Sequence, residues 1–330
     1  MPFLQKAVTL PRDLKSIFSN LDTQHEFLHQ HIKPVTSQYM ESNDGSLDEA
    51  DIQKIFSYYG LAVPAILGEA FCLLRGVPIS EKERFCSTAQ GAMTGLFDDF
   101  FDKQFLEEES IKKAVNETIH LNRNSNEQLF SWFYQKVLET SPNADLIKQR
   151  LSSVYHAQVE SKKQTAGKLT EDQLLSITLQ KGSSSLLFYY SAFQENEQAI
   201  ETGVIAELGG WMQLANDIFD VYKDREAGIQ TLATTCSQIR QLKSLFENGV
   251  KAGYANALKL PFPKKNIQLF LNRFSIGIFS RCMVCLDQLE RNQQFSNGRF
   301  EVEKYSRKQL ICDMDTAGNK FRSVLKHLQL

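Results

Sequence analysis

An all-α fold is predicted by three observations. Apolar residues recur at helical spacing along nearly the whole chain, and no run of strict apolar and polar alternation bounded by turns stands out. Gly and Pro are sparse, at 17 and 8 in 330 residues, and no proline falls between Pro142 and Pro261, so long helices can run unbroken there.

The elements follow in order from local signals. Helices are expected at 47–59 and 62–75. Ser80 and Glu83 form a capping box that opens a helix over 81–103, and this helix ends in an acidic cluster. Helices at 127–139 and 144–165 flank the break at Ser141-Pro142-Asn143. Thr170 and Gln173 repeat the capping pattern and start a helix towards Glu195, and the next runs from Glu197 to Asp224, with Gly228 as its stop. Further helices are expected at 237–258, 265–293 and 303–328. Without a long linker, a repeat or a shift in composition, the chain reads as a single domain over 1–330, with 1–45 as a peripheral N-terminal extension.

Bulk composition narrows the function classes. Apolar residues make up 42% and charged residues 23%, enough for a real core, and the net charge of −2 provides no global field for a nucleic acid. An anionic ligand must then be gripped locally. The least polar stretch, Leu61 to Arg75, carries Pro64 and Glu69 and falls short of a span, so no stable membrane insertion is expected. No secretion signal opens the sequence, which makes the cytoplasm the default. The six cysteines have no framework spacing and read as buried thiols, including Cys282 and Cys285 of a lone CxxC.

Two acidic clusters carry the chemistry. In Asp98-Asp99-Phe100-Phe101-Asp102, Asp98 and Asp102 are four residues apart and share a helix face, so their carboxylates can converge on one divalent cation, while Asp99 points about 100° away. Like charges at that spacing near a helix C-terminus are unfavourable without a cation. Gly91, Thr94 and Gly95 lead up to the pair on the same face; they either leave a concavity for substrate or allow close helix packing. In the second cluster, Asn216, Asp220 and Asp224 fall at i, i+4 and i+8 and line three oxygen ligands along one face. Hard oxygen donors favour Mg2+ or Mn2+ over zinc. Gly209 and Gly210, two turns earlier, are costly inside a helix and call for a kink or a close approach.

With these residues the chain resembles the class I isoprenoid (terpenoid) synthases, an all-α family with an aspartate-rich motif on each of two helices around a central cavity. Asp98 to Asp102 is a literal DDxxD. Asn216 to Asp224 is similar to the NDxx(S/T)xxxE motif of terpene cyclases, with Asp220 and Asp224 in place of the hydroxyl and the glutamate. Gly209 to Asp220 also resembles the GxxFQxxDDxxD segment of chain-elongating prenyltransferases, with Gln213 in the glutamine position. Lys181 is placed like the diphosphate-binding lysine of those enzymes, with Phe188 on its helical face.

The resemblance implies a cluster of three Mg2+ ions, replaceable by Mn2+, held by Asp98, Asp99, Asp102, Asn216, Asp220 and Asp224. That cluster would ionise a linear prenyl diphosphate and release diphosphate. Lys181 and Lys223, with Arg299 and Arg307 from the late segment, are the candidates for the diphosphate, and Gln158, Gln213, Thr94, Gly95 and Phe188 for positions near the substrate. Gln158 has a second reading as an ordinary polar residue. The implied activity is that of a carbon–oxygen lyase, a terpene cyclase, with a homodimer as the default assembly.

The alternative is a prenyltransferase that condenses an allylic diphosphate with isopentenyl diphosphate. Its GGKxxRP segment is missing, since 58–71 is almost uncharged, and Lys103 is followed by Gln104-Phe105-Leu106 where elongators carry arginines. A non-catalytic isoprenoid-binding homologue ranks lower because both ligand sets are intact. His25-Glu26-Phe27-Leu28-His29 matches the zinc-protease HExxH pattern, but no third histidine follows at the required spacing, and it reads as a chance match.

Overall fold

A computed structural model describes residues 3–102, 111–113, 115, 121–196 and 198–330; of Phe3, Gln5 and Asp102 it describes the backbone alone. The chain is all-helical, 81% helix with no strand among the described residues. It divides into two compact units. The N-terminal unit is Leu10–Tyr155 with Leu187–Glu197, and the C-terminal unit is Met1–Thr9, His156–Leu186 and Gln198–Leu330.

The N-terminal unit contains most of α1 (Phe3–Phe27), then α2 (Lys33–Glu41), α3 (Glu49–Arg75), α4 (Glu81–Asp102), α5 (Ser125–Thr140) and most of α6 (Ala144–Ser161). Its core is α4, which buries Ala89, Ala92, Met93, Leu96, Phe97 and Phe100. Phe130 of α5 stacks on Phe97 at 5.8 Å and meets Phe100 edge-on at 5.0 Å. The Ser80 and Glu83 box forms as expected, with Glu83 accepting from the Ser80 N–H at 2.9 Å. Within the segment read from the sequence as peripheral, residues 3–41 are helical with a π turn at Leu28–Ile32, and Leu28 and Ile32 are fully buried.

The helices expected at 47–59 and 62–75 are continuous as α3. The helix runs through Gly60 with π turns on either side, at Ile55–Tyr59 and at Val63–Gly68, the second around Pro64, which has no N–H to donate. Gly91 of α4 lies directly against the Tyr59 carbonyl, where a side chain would overlap the backbone. Of the two readings of the small-residue stripe, close helix packing holds at Gly91.

The C-terminal unit contains most of α7 (Glu171–Tyr190), then α8 (Ala199–Phe219), α9 (Val221–Glu226), α10 (Ile239–Ala257), α11 (Lys264–Phe295) and α12 (Ala317–Gln329). Thr170 and Gln173 cap α7 reciprocally, at 2.9 and 3.3 Å. The helix expected over 303–328 is broken. Ser306 and Gln309 form a new capping box for the single turn Arg307–Leu310, and Thr316 caps α12 by accepting from the Asn319 N–H. Side chains that compete for backbone donors thus punctuate the segment.

Two helices, α3 and α11, are long and apolar enough to cross a membrane, but 56% and 72% of their apolar windows are buried inside the protein, as in core helices. All six cysteines are free thiols, and all but Cys236 are buried.

Candidate functional site

The second acidic cluster is built on a close crossing of α7 and α8. Gly182 and Gly209 place backbone against backbone, each where the other's carbonyl would collide with a Cβ, and Gly210 lies against Leu179. Ser183 donates to the Ala206 carbonyl at 2.7 Å across the same contact. The paired glycines therefore serve helix approach. The crossing carries Thr178 and Lys181 on α7 alongside Gln213 and Asp217 on α8.

Asp217 is buried and held by two donors, Thr178 Oγ1 at 2.8 Å and Gln213 Nε2 at 2.9 Å. Burial raises its carboxyl above the ordinary range, opposed by these two hydrogen bonds and by Lys181. At Asp220 the backbone turns out of helical geometry (φ −87°, ψ 8°), which divides the helix expected over 197–224 into α8 and α9. The ladder survives the turn: the Asp220 N–H reaches the Asn216 carbonyl, and the Asp224 N–H that of Asp220, both at 2.8 Å. The i, i+4, i+8 register of Asn216, Asp220 and Asp224 is thus kept.

Asn216 Nδ2 donates to Asp220 Oδ2 at 3.4 Å, and Lys223 approaches Asp220 at 4.0 Å while remaining largely exposed. Asp224 is buried, and burial pushes its carboxyl up to about 7, with the charges of Asp217 and Asp220 adding and those of Lys223 and Lys181 opposing. Crowded carboxylates that repel one another in this way are relieved by a cation. Among the described residues no three His, Cys, Asp or Glu side chains form a cage for a metal ion. The donor set here is instead two carboxylates and an amide. It suits Mg2+, which takes one or two carboxylates and completes its shell with water and substrate phosphate.

Arg225 was not singled out from the sequence, yet it ties the late basic segment to this cluster. It donates to the carbonyls of Val302 at 3.1 Å and Tyr305 at 2.7 Å, and its guanidinium lies 4.9 Å from the Tyr222 ring centre. Arg307 covers the same ring at 5.8 Å. Arg307 thus meets α9 through Tyr222, while Arg299 is exposed beyond the left-handed pair Asn297 and Gly298. Gln158 is buried near the end of α6, where Ser161 Oγ donates to its carbonyl at 2.8 Å.

The first cluster lies in the N-terminal unit at the end of α4. Asp98 is half-buried, and Tyr59 Oη donates to its Oδ2 at 3.4 Å. Asp99 is buried and engaged by Lys54 at 3.0 Å, which also reaches Asp51 at 3.4 Å. Burial, reinforced by Asp51 and opposed by Lys54, raises Asp99 to about 6. The side chain of Asp102 and residues 103–110, including Lys103, lie outside the described residues.

Thr94 and Gly95 are both covered by neighbours. Thr94 Oγ1 donates to the Gln90 carbonyl at 2.8 Å and accepts from Tyr189 Oη at 3.0 Å. Gly95 faces the Tyr59 ring. Phe188 is buried, its carbonyl accepting from Gln90 Nε2 at 2.6 Å. Lys54, Tyr59, Thr178 and Tyr189 escaped the sequence reading. Thr178 alone carried a local signal, since it precedes Lys181 by three residues on the same face.

His25, Glu26 and His29 of the HExxH match are all exposed. No protein-family model matches the chain, and no curated protein is significantly similar to it.

Proposed function

We propose that the chain is a class I terpene synthase that ionises a linear prenyl diphosphate with Mg2+, releases diphosphate and cyclises the resulting carbocation. The observation that carries this reading is the register of Asn216, Asp220 and Asp224 across the turn at Asp220, with Lys181 and the Thr178–Asp217–Gln213 network alongside. Asn216, Asp220 and Asp224 would hold metal in the C-terminal unit, and Asp98 and Asp102 are the candidates in the N-terminal unit. Bound there, Mg2+ would neutralise the diphosphate as its bond to the allylic carbon breaks.

The chain's own residues supply the rest. Lys181, Lys223 and Arg307 offer positive charge to the diphosphate, and Asp217 fixes the α7 and α8 side chains against each other. Asp99 belongs to the ion pair with Lys54 and acts on the end of α4, where it supports the placement of Asp98.

The hydrogen bond from Gln213 to Asp217 favours a second reading, because it joins the glutamine and the second aspartate position of the segment that resembles the elongators. In that reading the chain condenses an allylic diphosphate with isopentenyl diphosphate. Diphosphate release and extractable product, measured with Mg2+ on prenyl diphosphates of graded length with and without isopentenyl diphosphate, distinguish the two.

A further inference from the structure

One face of α11 clamps the late segment of the chain. Gln288 Nε2 donates to the carbonyls of Gln309 and Ile311 at 2.8 and 3.0 Å, and Asn292 Nδ2 donates to that of Gln309 at 2.7 Å. Cys285 precedes Gln288 by three residues on the same helical face, and Cys312 follows Ile311 in the chain, so the clamp sets one thiol beside the other. The two sulfurs are in hydrogen-bond contact, and both are free thiols.

The pair is unequal. Cys285 is fully buried, its Sγ also 3.7 Å from the Ile218 carbonyl of α8. Cys312 is 7% exposed in the non-helical link between the Arg307–Leu310 turn and α12, with the exposed Ile311 and Asp313 on either side, so a small solute reaches it first. Asn319 Nδ2 donates to its sulfur at 3.7 Å. Contact with Cys285 lowers the Cys312 thiol below its ordinary value, with Arg291 and Arg322 adding and burial and Asp313 opposing. The same contact, with burial, pushes the Cys285 thiol up. A thiol that ionises more readily, beside one that keeps its proton, is the arrangement of an attacking and a resolving cysteine.

We propose that Cys312 and Cys285 are a peroxide-reactive thiol pair that closes a disulfide between the late segment and α11. The Cys312 thiolate attacks one oxygen of hydrogen peroxide and the O–O bond breaks. The departing hydroxide takes a proton and leaves as water, and Cys312 becomes a sulfenic acid. The Cys285 sulfur then attacks the Cys312 sulfur, the S–O bond breaks, and the hydroxyl leaves as a second water with the Cys285 proton. Two thiols are oxidised to one disulfide, and one peroxide is reduced to two waters. Nothing in this chemistry depends on the activity proposed above.

The test treats the folded full chain with hydrogen peroxide, blocks the remaining thiols with iodoacetamide and maps its peptides by mass spectrometry without reduction. The expected product is a peptide pair joined through Cys285 and Cys312, two hydrogens lighter than the reduced pair and released by dithiothreitol. Cys285→Ser should lose the link and leave a Cys312 sulfenic acid that dimedone captures, and Cys312→Ser should lose both. Cys236→Ser, at the half-buried thiol, should change neither. Circular dichroism checks that each variant is folded, and the map of the parent protein decides the link even where a variant is not. A parent map without the 285–312 link, or with Cys312 joined to Cys282 instead, would overturn the proposal. So would dimedone capture at Cys285 in the folded Cys312→Ser variant, since Cys285 would then be the attacking thiol.

Discussion

Asp99 shows how a single residue in a motif can be legible as chemistry and illegible as environment. Its place in DDxxD is plain in the sequence. Its partner Lys54 lies on another helix, just before a π turn, and no spacing rule relates the two. Replacing Lys54 by Met leaves Asp51 and Asp99 buried without their cation and should destabilise the protein by about 2–4 kcal/mol, read from urea unfolding. An unchanged midpoint would show that the pair contributes nothing. For the second motif the candidate ligands and their register were legible but not Asp217 as the buried anchor, because burial is a property of the α7 and α8 crossing. Asn216→Ala and Asp98→Ala are each expected to abolish diphosphate release with helicity unchanged; retained turnover in either would remove that residue from the metal set. Glu26→Gln, in the exposed HExxH match, should leave turnover as it is.

Among the elements, helix starts were read best, because capping side chains act within one turn. Ser80 with Glu83 and Thr170 with Gln173 form the predicted boxes. Breaks were read less well: the gap expected between 59 and 62 lies inside a continuous helix, and the run expected over 303–328 is cut by the caps at Ser306 and Thr316, which the apolar periodicity masked. Gly182→Ala places a methyl group against the Gly209 carbonyl and should cost about 1–3 kcal/mol, with a lowered melting temperature. A neutral effect would mean that the helices separate freely there.

At the packing of α12 on α11, burial and the charge of Lys6 hold the His327 ring at about 4, below its ordinary 6.5. As pH falls the unfolded chain takes up this proton first. The contribution of the neutral ring, up to about 3 kcal/mol, is therefore complete above about pH 6.5, declines between there and about pH 4, and is lost below. His327→Gln should flatten that part of the stability profile relative to the parent protein. Parallel profiles through the window would contradict the assignment.

For the whole molecule, the class was legible because the periodic signal is distributed over hundreds of residues, and the division into two compact units was not, since no linker or composition shift marks it. The proposed activity makes a further demand on the molecule as a whole: removing divalent metal should stop turnover, and Mg2+ or Mn2+ should restore it. The most direct measurement is diphosphate release and hydrocarbon product from linear prenyl diphosphates of increasing length, with Mg2+, each with and without isopentenyl diphosphate. The proposed cyclase gives a cyclic product from one substrate alone. Turnover that appears only with isopentenyl diphosphate, yielding a longer linear diphosphate, would contradict it and assign the second motif to chain elongation.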